Sequence, residues 1–195
     1  MRKVIIDTET TGLSPEKDKI IEIAMIEIDE NNQLTGNFYY SLVNPQKSIP
    51  RNATQMHGIN HCKIKTAPTF EQIKDDVIKF IKDKTVISYY LPFNVKMLNY
   101  ELGIELTNSV IDIMKLVQKK HPQKNYCLNK IAKQIKKQNI FNNQLLTDCY
   151  SAYLLYKRLS EQTKDFGFFM KNAIKSTLTY PKISVRLFLL FDISM

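Results

Sequence analysis

Lys3-Val4-Ile5-Ile6-Asp7-Thr8-Glu9-Thr10-Thr11-Gly12-Leu13, followed six residues later by Ile20-Ile21-Glu22-Ile23-Ala24-Met25-Ile26-Glu27-Ile28-Asp29, is the stretch from which the rest of the chain is read. Lys3 to Asp7 is a short β-branched run ended by Thr-Glu-Thr-Thr-Gly, the pattern of a buried strand entering a turn at Gly12. Ile20 to Asp29 and Leu34 to Val43 read as two further strands, with turn chemistry at Asn31-Asn32 between them. The three form a meander. Asp7 and Glu9 lie two apart at the end of the first strand, and because strand side chains alternate, both carboxylates face one side. Two adjacent anions ask for a cation.

Outward from this stretch, Asn44 to Pro68 carries Pro45, Pro50 and Gly58 without a sustained period and is expected to be a long connection. Thr69-Phe70-Glu71-Gln72 fits a capping box, and Phe70, Ile73, Val77 and Phe80 recur at helical spacing, which predicts a helix from Thr69 to Asp83. Thr85 to Tyr89 reads as a strand, Phe93 to Leu102 as a helix ended by Gly103, and Val110 to Ile113 as a short strand. Tyr126 to Gln138 and Leu145 to Leu159 read as helices, the second with Leu146, Cys149, Tyr153 and Tyr156 on one stripe. Strands first, then strands alternating with helices, predict an α/β domain with a mixed sheet.

Taken in order, these segments resemble the DnaQ-like 3′–5′ exonucleases, and within them the epsilon proofreading subunits of bacterial DNA polymerase III. The first motif is Asp7-Thr8-Glu9-Thr10-Thr11-Gly12-Leu13 with Ile20 to Ala24; His57-Gly58-Ile59 and Pro68-Thr69-Phe70 look like the family's H-G-I and P-T-F segments. Phe93 to Leu102 resembles the second motif, Ile111-Asp112 the I-D ahead of the next helix, and Asn143 to Ala152 the third motif, usually written H-x-A-L-x-D-A. The resemblance spans about residues 1–160 and implies an RNase H-like α/β fold, a mixed central sheet flanked by helices. It further implies Mg²⁺ or Mn²⁺ as cofactor, a single-stranded DNA 3′ end as substrate and the DNA polymerase III catalytic subunit as partner. Two divalent ions held by four acids would activate a water and stabilise the departing 3′ oxygen, with a His as general base.

Carried over residue by residue, the resemblance makes Asp7, Glu9 and Asp148 the metal ligands and places Thr10 and His57 against the substrate. Two positions depart from it. The second-motif Asp falls on Asn94 and the catalytic His on Asn143, and the family's H-N-A is replaced by Tyr89-Tyr90-Leu91. An amide in place of a carboxylate forfeits several kcal/mol of attraction for a dication, and a missing general base typically costs ~10²–10⁴-fold. Two readings follow, an impaired 3′–5′ exonuclease and a non-catalytic module that binds DNA ends or braces the polymerase. Tyr89 and Tyr90 suit either base stacking or the core.

Composition agrees with a soluble folded chain. Its 195 residues match one domain, with 44% hydrophobic and 24% charged. Lys and Arg number 28 against 19 Asp and Glu, a net charge of +9, which suits a polyanionic partner but is also what an abundance of Lys and Asn codons writes. Ile113 to Ile140 holds eight lysines and no acid, whereas residues 1–30 hold eight acids and four basic residues. The cysteines Cys62, Cys127 and Cys149 are odd in number and far apart, so neither a disulfide scaffold nor a zinc site is expected. Val4-Ile5-Ile6 is too short for a signal peptide and Val185 to Phe191 (VRLFLLF) too short to span a bilayer, giving an expected cytoplasmic location with no membrane contact. Residues 161–195 are expected to be an extension whose apolar run docks on a partner or on its own domain.

Overall fold

A computed structural model of the chain describes residues 1–120 and 141–161. Its centre is β1 (Lys3–Thr10), whose Val4, Ile5 and Ile6 are fully buried. On one side β1 pairs antiparallel with β2 (Ile20–Ile28), which pairs antiparallel with β3 (Leu34–Leu42) at the edge. On the other side it runs parallel to β4 (Thr85–Ser88), which is parallel to β5 (Val110–Asp112). The order β3-β2-β1-β4-β5 makes a mixed five-stranded sheet, as the meander and the later alternation require. β1 outlasts its β-branched run and continues to Thr10, because Thr8, Glu9 and Thr10 pair with β2; the register shifts between Glu9 and Thr10.

Alternation divides the sheet's side chains between two helical layers. Val4, Ile6, Ile23, Met25 and Val86 pack on α3 (Phe70–Ile81) and α4 (Leu91–Leu102). Ile5, Ala24, Ile26 and Ile87 pack on α5 (Ile113–Lys120) and α6 (Gln144–Ser160). Each isoleucine buried this fully contributes roughly 1.5–3 kcal/mol. Asp7 and Glu9 share the parity of Ile5, and Glu22 that of Ala24. All three acids therefore belong to the α6 side of the sheet.

Local signals set the helix ends. The capping box holds: Thr69 N–H donates to Gln72 Oε1 at 2.8 Å and α3 starts one residue later. α4 starts at Leu91, two residues ahead of the Phe93 expected, since Pro92 in its first turn gives up an N–H that needs no partner there. Gly103, at φ +67°, ends it in the left-handed conformation. The connection from Asn44 to Pro68 folds more than its sequence suggests, into α1 (Arg51–His57) and α2 (His61–Ile64), with Ile59 and Ile64 buried against Ile21. The expected helix Tyr126 to Gln138, five of the eight lysines and the run Val185 to Phe191 lie outside the described residues. Among the described residues no helix is long and apolar enough to cross a membrane.

Candidate active site

Asp7 lies in the central strand two residues beyond its last pairing with β4, at Ile5, where α4 and α6 converge on it. From α4, the Asn94 side chain reaches in, only 2% exposed. Its amide Nδ2 donates to Asp7 Oδ1 at 3.2 Å and to Ser88 Oγ at 2.7 Å, while its Oδ1 accepts from Thr8 Oγ1 at 2.6 Å. Both amide protons and the carbonyl are thus engaged. Thr8 N–H adds a second donor to Asp7 Oδ1 at 3.0 Å. From α6, Asp148 supplies a second carboxylate whose Oδ1 accepts from Gln144 Nε2 at 2.9 Å.

The charges explain the state of Asp7. Burial first, then the nearby Asp148 and Glu22, push its carboxyl up to about 7, against the lowering pull of the Asn94 and Thr8 donors. Asp7 therefore shares its end of the sheet with other anions that only a proton or a cation relieves. Cys149, next to Asp148, donates Sγ–H to Ala24 O at 3.3 Å, and burial holds its thiol well up, so it packs as an inert side chain.

Asn143 lies at the other position where the resemblance expects a functional group. It is the N-cap of α6: its Oδ1 accepts from Leu146 N–H at 2.8 Å and its Nδ2 donates to Glu22 Oε1 at 3.0 Å. Glu22 Oε1 also accepts the Tyr40 hydroxyl at 2.6 Å. Glu22 is buried at 6% exposure and is the cross-strand partner of Glu9. Glu22 and Glu27 are two acids in the otherwise apolar run of β2, a signal visible in the sequence, yet the partners of Glu22 come from β3 and α6, which sequence spacing does not reveal.

The structure thus brings Asp7, Asn94 and Asp148 together, with Asn143 tied to the neighbouring Glu22. Glu9 shares the strand and the side of Asp7. Thr10 turns its hydroxyl to Gly12 O at 2.6 Å, and His57, ending α1, accepts Ile59 N–H on Nδ1 at 3.0 Å.

Carboxylate oxygens suit a hard divalent cation, and one or two carboxylates plus waters are the usual Mg²⁺ set. Asp7 and Asp148, close enough for one charge to raise the other's pKa, are the pair that would hold one such ion. A second ion does not fit: Asn94 brings an amide rather than a charge to the cluster, and donates its N–H to Asp7 Oδ1. Among the described residues, no group of three His, Cys, Asp or Glu side chains is arranged to hold a metal ion.

Comparison with known proteins agrees with this architecture. Residues 4–156 match the RNase_T family model, described as Exonuclease. The DNA polymerase III subunit epsilon of Rickettsia typhi is 38% identical over 149 residues, covering 71% of this chain; the chain spans 64% of that protein's length. A solved exonuclease X in complex with 5′-overhanging duplex DNA superposes with TM-score 0.63 at 25% identity, covering 83% of this chain and 93% of that one. Escherichia coli exonuclease I in complex with a dA16 oligonucleotide gives TM-score 0.70 at 14% identity, covering 90% of this chain and 45% of that one. These neighbours are RNase H-like exonuclease folds, and the mixed sheet with flanking helices is the same architecture.

Proposed function

The chain belongs to the RNase T exonuclease family, and on that premise we propose that it is a proofreading-type 3′–5′ exonuclease domain that takes single-stranded DNA 3′ ends and hydrolyses them slowly. The family is divalent-metal dependent; the resemblance gives Mg²⁺ or Mn²⁺ to Asp7, Glu9 and Asp148, of which Asp7 and Asp148 are the pair we assign to it, with Thr10 and His57 placed against the terminal nucleotide. When bound, the ion activates water and stabilises the departing oxygen. The protein's own groups decide how well that works. Asp7 and Asp148 hold the ion; Asn94 neutralises one oxygen of Asp7 with a fixed N–H and contributes no charge. The Asn143 amide has no basic lone pair to take a proton from the water, and both its polar ends are spoken for. Loss of a base alone typically costs ~10²–10⁴-fold, and loss of the second-ion ligand adds to it less than multiplicatively.

One observation carries the reading of slow hydrolysis: the Asn94–Asp7 hydrogen bond at 3.2 Å, with Asn94 also fixed by Ser88 and Thr8. The same completeness favours a second reading, a non-catalytic module that holds DNA ends for a polymerase. Residues 1–160 form the exonuclease domain in either case, and residues 161–195 an extension offered to the polymerase catalytic subunit in the cytoplasm. An end-labelled single strand with Mn²⁺ separates the two. Slow release of mononucleotides from the 3′ end, abolished by Asp7→Ala, is expected of the enzyme; no release with retained end binding identifies the module.

A further inference from the structure

The turn after Thr10 is braced by a carboxylate that lies outside the cluster around Asp7. Asp18 Oδ1 accepts the Thr11 hydroxyl at 2.9 Å and Asp18 Oδ2 accepts Ser14 N–H at 3.0 Å. Closing the turn does not need them, since Ser14 O already accepts Lys17 N–H at 3.0 Å and Asp18 N–H at 2.7 Å. Thr11, only 1% exposed, is also tied to the residue ahead of β2: its N–H donates to Lys19 O at 2.9 Å and its Oγ1 accepts Lys19 N–H at 3.1 Å. Gly12 marks the closest approach. Its φ is not positive, so its backbone does not call for glycine, yet a Cβ there would lie 2.6 Å from Asp18 Cγ and 2.7 Å from Asp18 Oδ1. The carboxylate, not the backbone, requires the glycine. Gly12 O in turn accepts the Thr10 hydroxyl at 2.6 Å. These contacts run from Asp18 to Thr10, which lies three residues beyond Asp7 on β1, about 10 Å along the strand.

We propose that Asp18 is a positioning residue for the 3′ end of a single strand: it fixes the turn from Thr10 to Gly12 so that Thr10 meets the terminal nucleotide without rearrangement. This role rests on the end-binding part of the proposed function, which sets Thr10 against that nucleotide. A glycine-containing turn at a strand end is otherwise free to move, and ordering it at the moment of binding would cost affinity. Two charge-assisted hydrogen bonds from one side chain remove that freedom beforehand. Lys47 Nζ lies 3.7 Å from Asp18 Oδ1 on an exposed side chain, so that ion pair adds little and the hydrogen bonds carry the brace.

The test uses the intact chain in EDTA at low salt, with two single strands of one sequence, one with a free 3′ end and one whose 3′-terminal biotin is capped by streptavidin. Competition against a labelled strand reads both affinities. The parent is expected to prefer the free end by about fivefold or more, the equivalent of one net hydrogen bond to the terminal nucleotide. Asp18→Ala should bring that ratio close to one while affinity for the capped strand stays within about twofold of the parent. Asp18→Asn should keep most of the preference, because its Oδ1 can take Ser14 N–H while the Thr11 hydroxyl turns to accept from Nδ2. Gly12→Ala should lower the ratio as Asp18→Ala does, and should cost nothing further in the Asp18→Ala background, where the group it collides with is gone. An unchanged ratio in folded Asp18→Ala, an equal loss on both strands, or additive losses in the double variant overturns the positioning role while leaving end binding intact. Should Asp18→Ala fail to fold, an unchanged ratio in Gly12→Ala overturns it in the same way. A parent that binds both strands equally, or neither, overturns the end-binding reading and the positioning role with it.

Discussion

Asn94→Asp replaces a neutral donor with an acceptor that carries charge, in a site 2% exposed and 3.2 Å from Asp7 Oδ1. Two unit charges at that separation repel by about 5 kcal/mol at an effective dielectric near 20. The protein escapes part of this by taking up a proton, since two adjacent carboxylates readily share one. Asp7 is already held at about 7, so protonating it at pH 8 costs about 1.4 kcal/mol. With the lost donor to Asp7 added, the variant should be less stable than the parent by about 1.5–3 kcal/mol at pH 8 in EDTA. That is roughly 3–12 °C in Tm for a chain of this size. The penalty should shrink at pH 6, where the proton is free of cost. Divalent metal should reverse it, because an ion at a hundred times its Kd returns about 2.7 kcal/mol. Thermal unfolding followed by circular dichroism, at pH 6 and 8, with EDTA or Mn²⁺, reads all four conditions. A variant as stable as the parent in EDTA at pH 8, or one that Mn²⁺ stabilises no more than the parent, refutes the placement of Asn94 against Asp7.

Other expectations follow from the same geometry. Calorimetry should find one divalent-ion site with a second at least tenfold weaker, and affinity at the first should fall about tenfold per pH unit below 7, because the ion must displace the proton that the raised Asp7 pKa retains; two tight sites, or no dependence on pH, count against the fit. Asn143→Ala should lose about 1–2 kcal/mol in urea unfolding while Asn143→Ser recovers most of it, since the loss is that of the α6 cap; equal losses would mean that the Glu22 contact dominates. Asp112 buries Oδ2 without a hydrogen-bond partner, and burial raises its pKa. A raised carboxyl pKa favours folding below the unfolded value and costs stability as pH rises through the folded one. Asp112→Asn, which keeps the cap to Lys115 N–H, should therefore gain more, or lose less, at pH 8 than at pH 4; the reverse order would contradict the burial.

What the sequence disclosed was what short-range chemistry controls. The capping box at Thr69, the stop at Gly103 and the period-two runs around Asp7 each act within a few residues, and the structure follows them closely. The two helices between Asn44 and Pro68 span 7 and 4 residues, too few turns to show a period. β1 reaches Thr10 through pairing with β2, an interaction that local propensity does not encode. The site shows the same divide. The shared face of Asp7 and Glu9 was legible from strand alternation, whereas Asp148 and the amides at positions 94 and 143 were singled out only by the family resemblance. What those amides do was not legible, because Ser88, Thr8 and Glu22 meet them across distances of up to 121 residues in the chain.

Restoration of cleavage asks most of this reading. Asn94→Asp with Asn143→His returns a fourth carboxylate and a base, and Glu22, which accepts the Asn143 amide at 3.0 Å, is in place to accept an imidazole N–H. The rate of nucleotide release from an end-labelled single strand with Mn²⁺ should rise by at least ~10²-fold over the parent, with each single change giving far less and Asp7→Ala removing the gain. A parent that already cleaves at the restored rate, or a folded, metal-binding double variant that cleaves no faster than the parent, would contradict it.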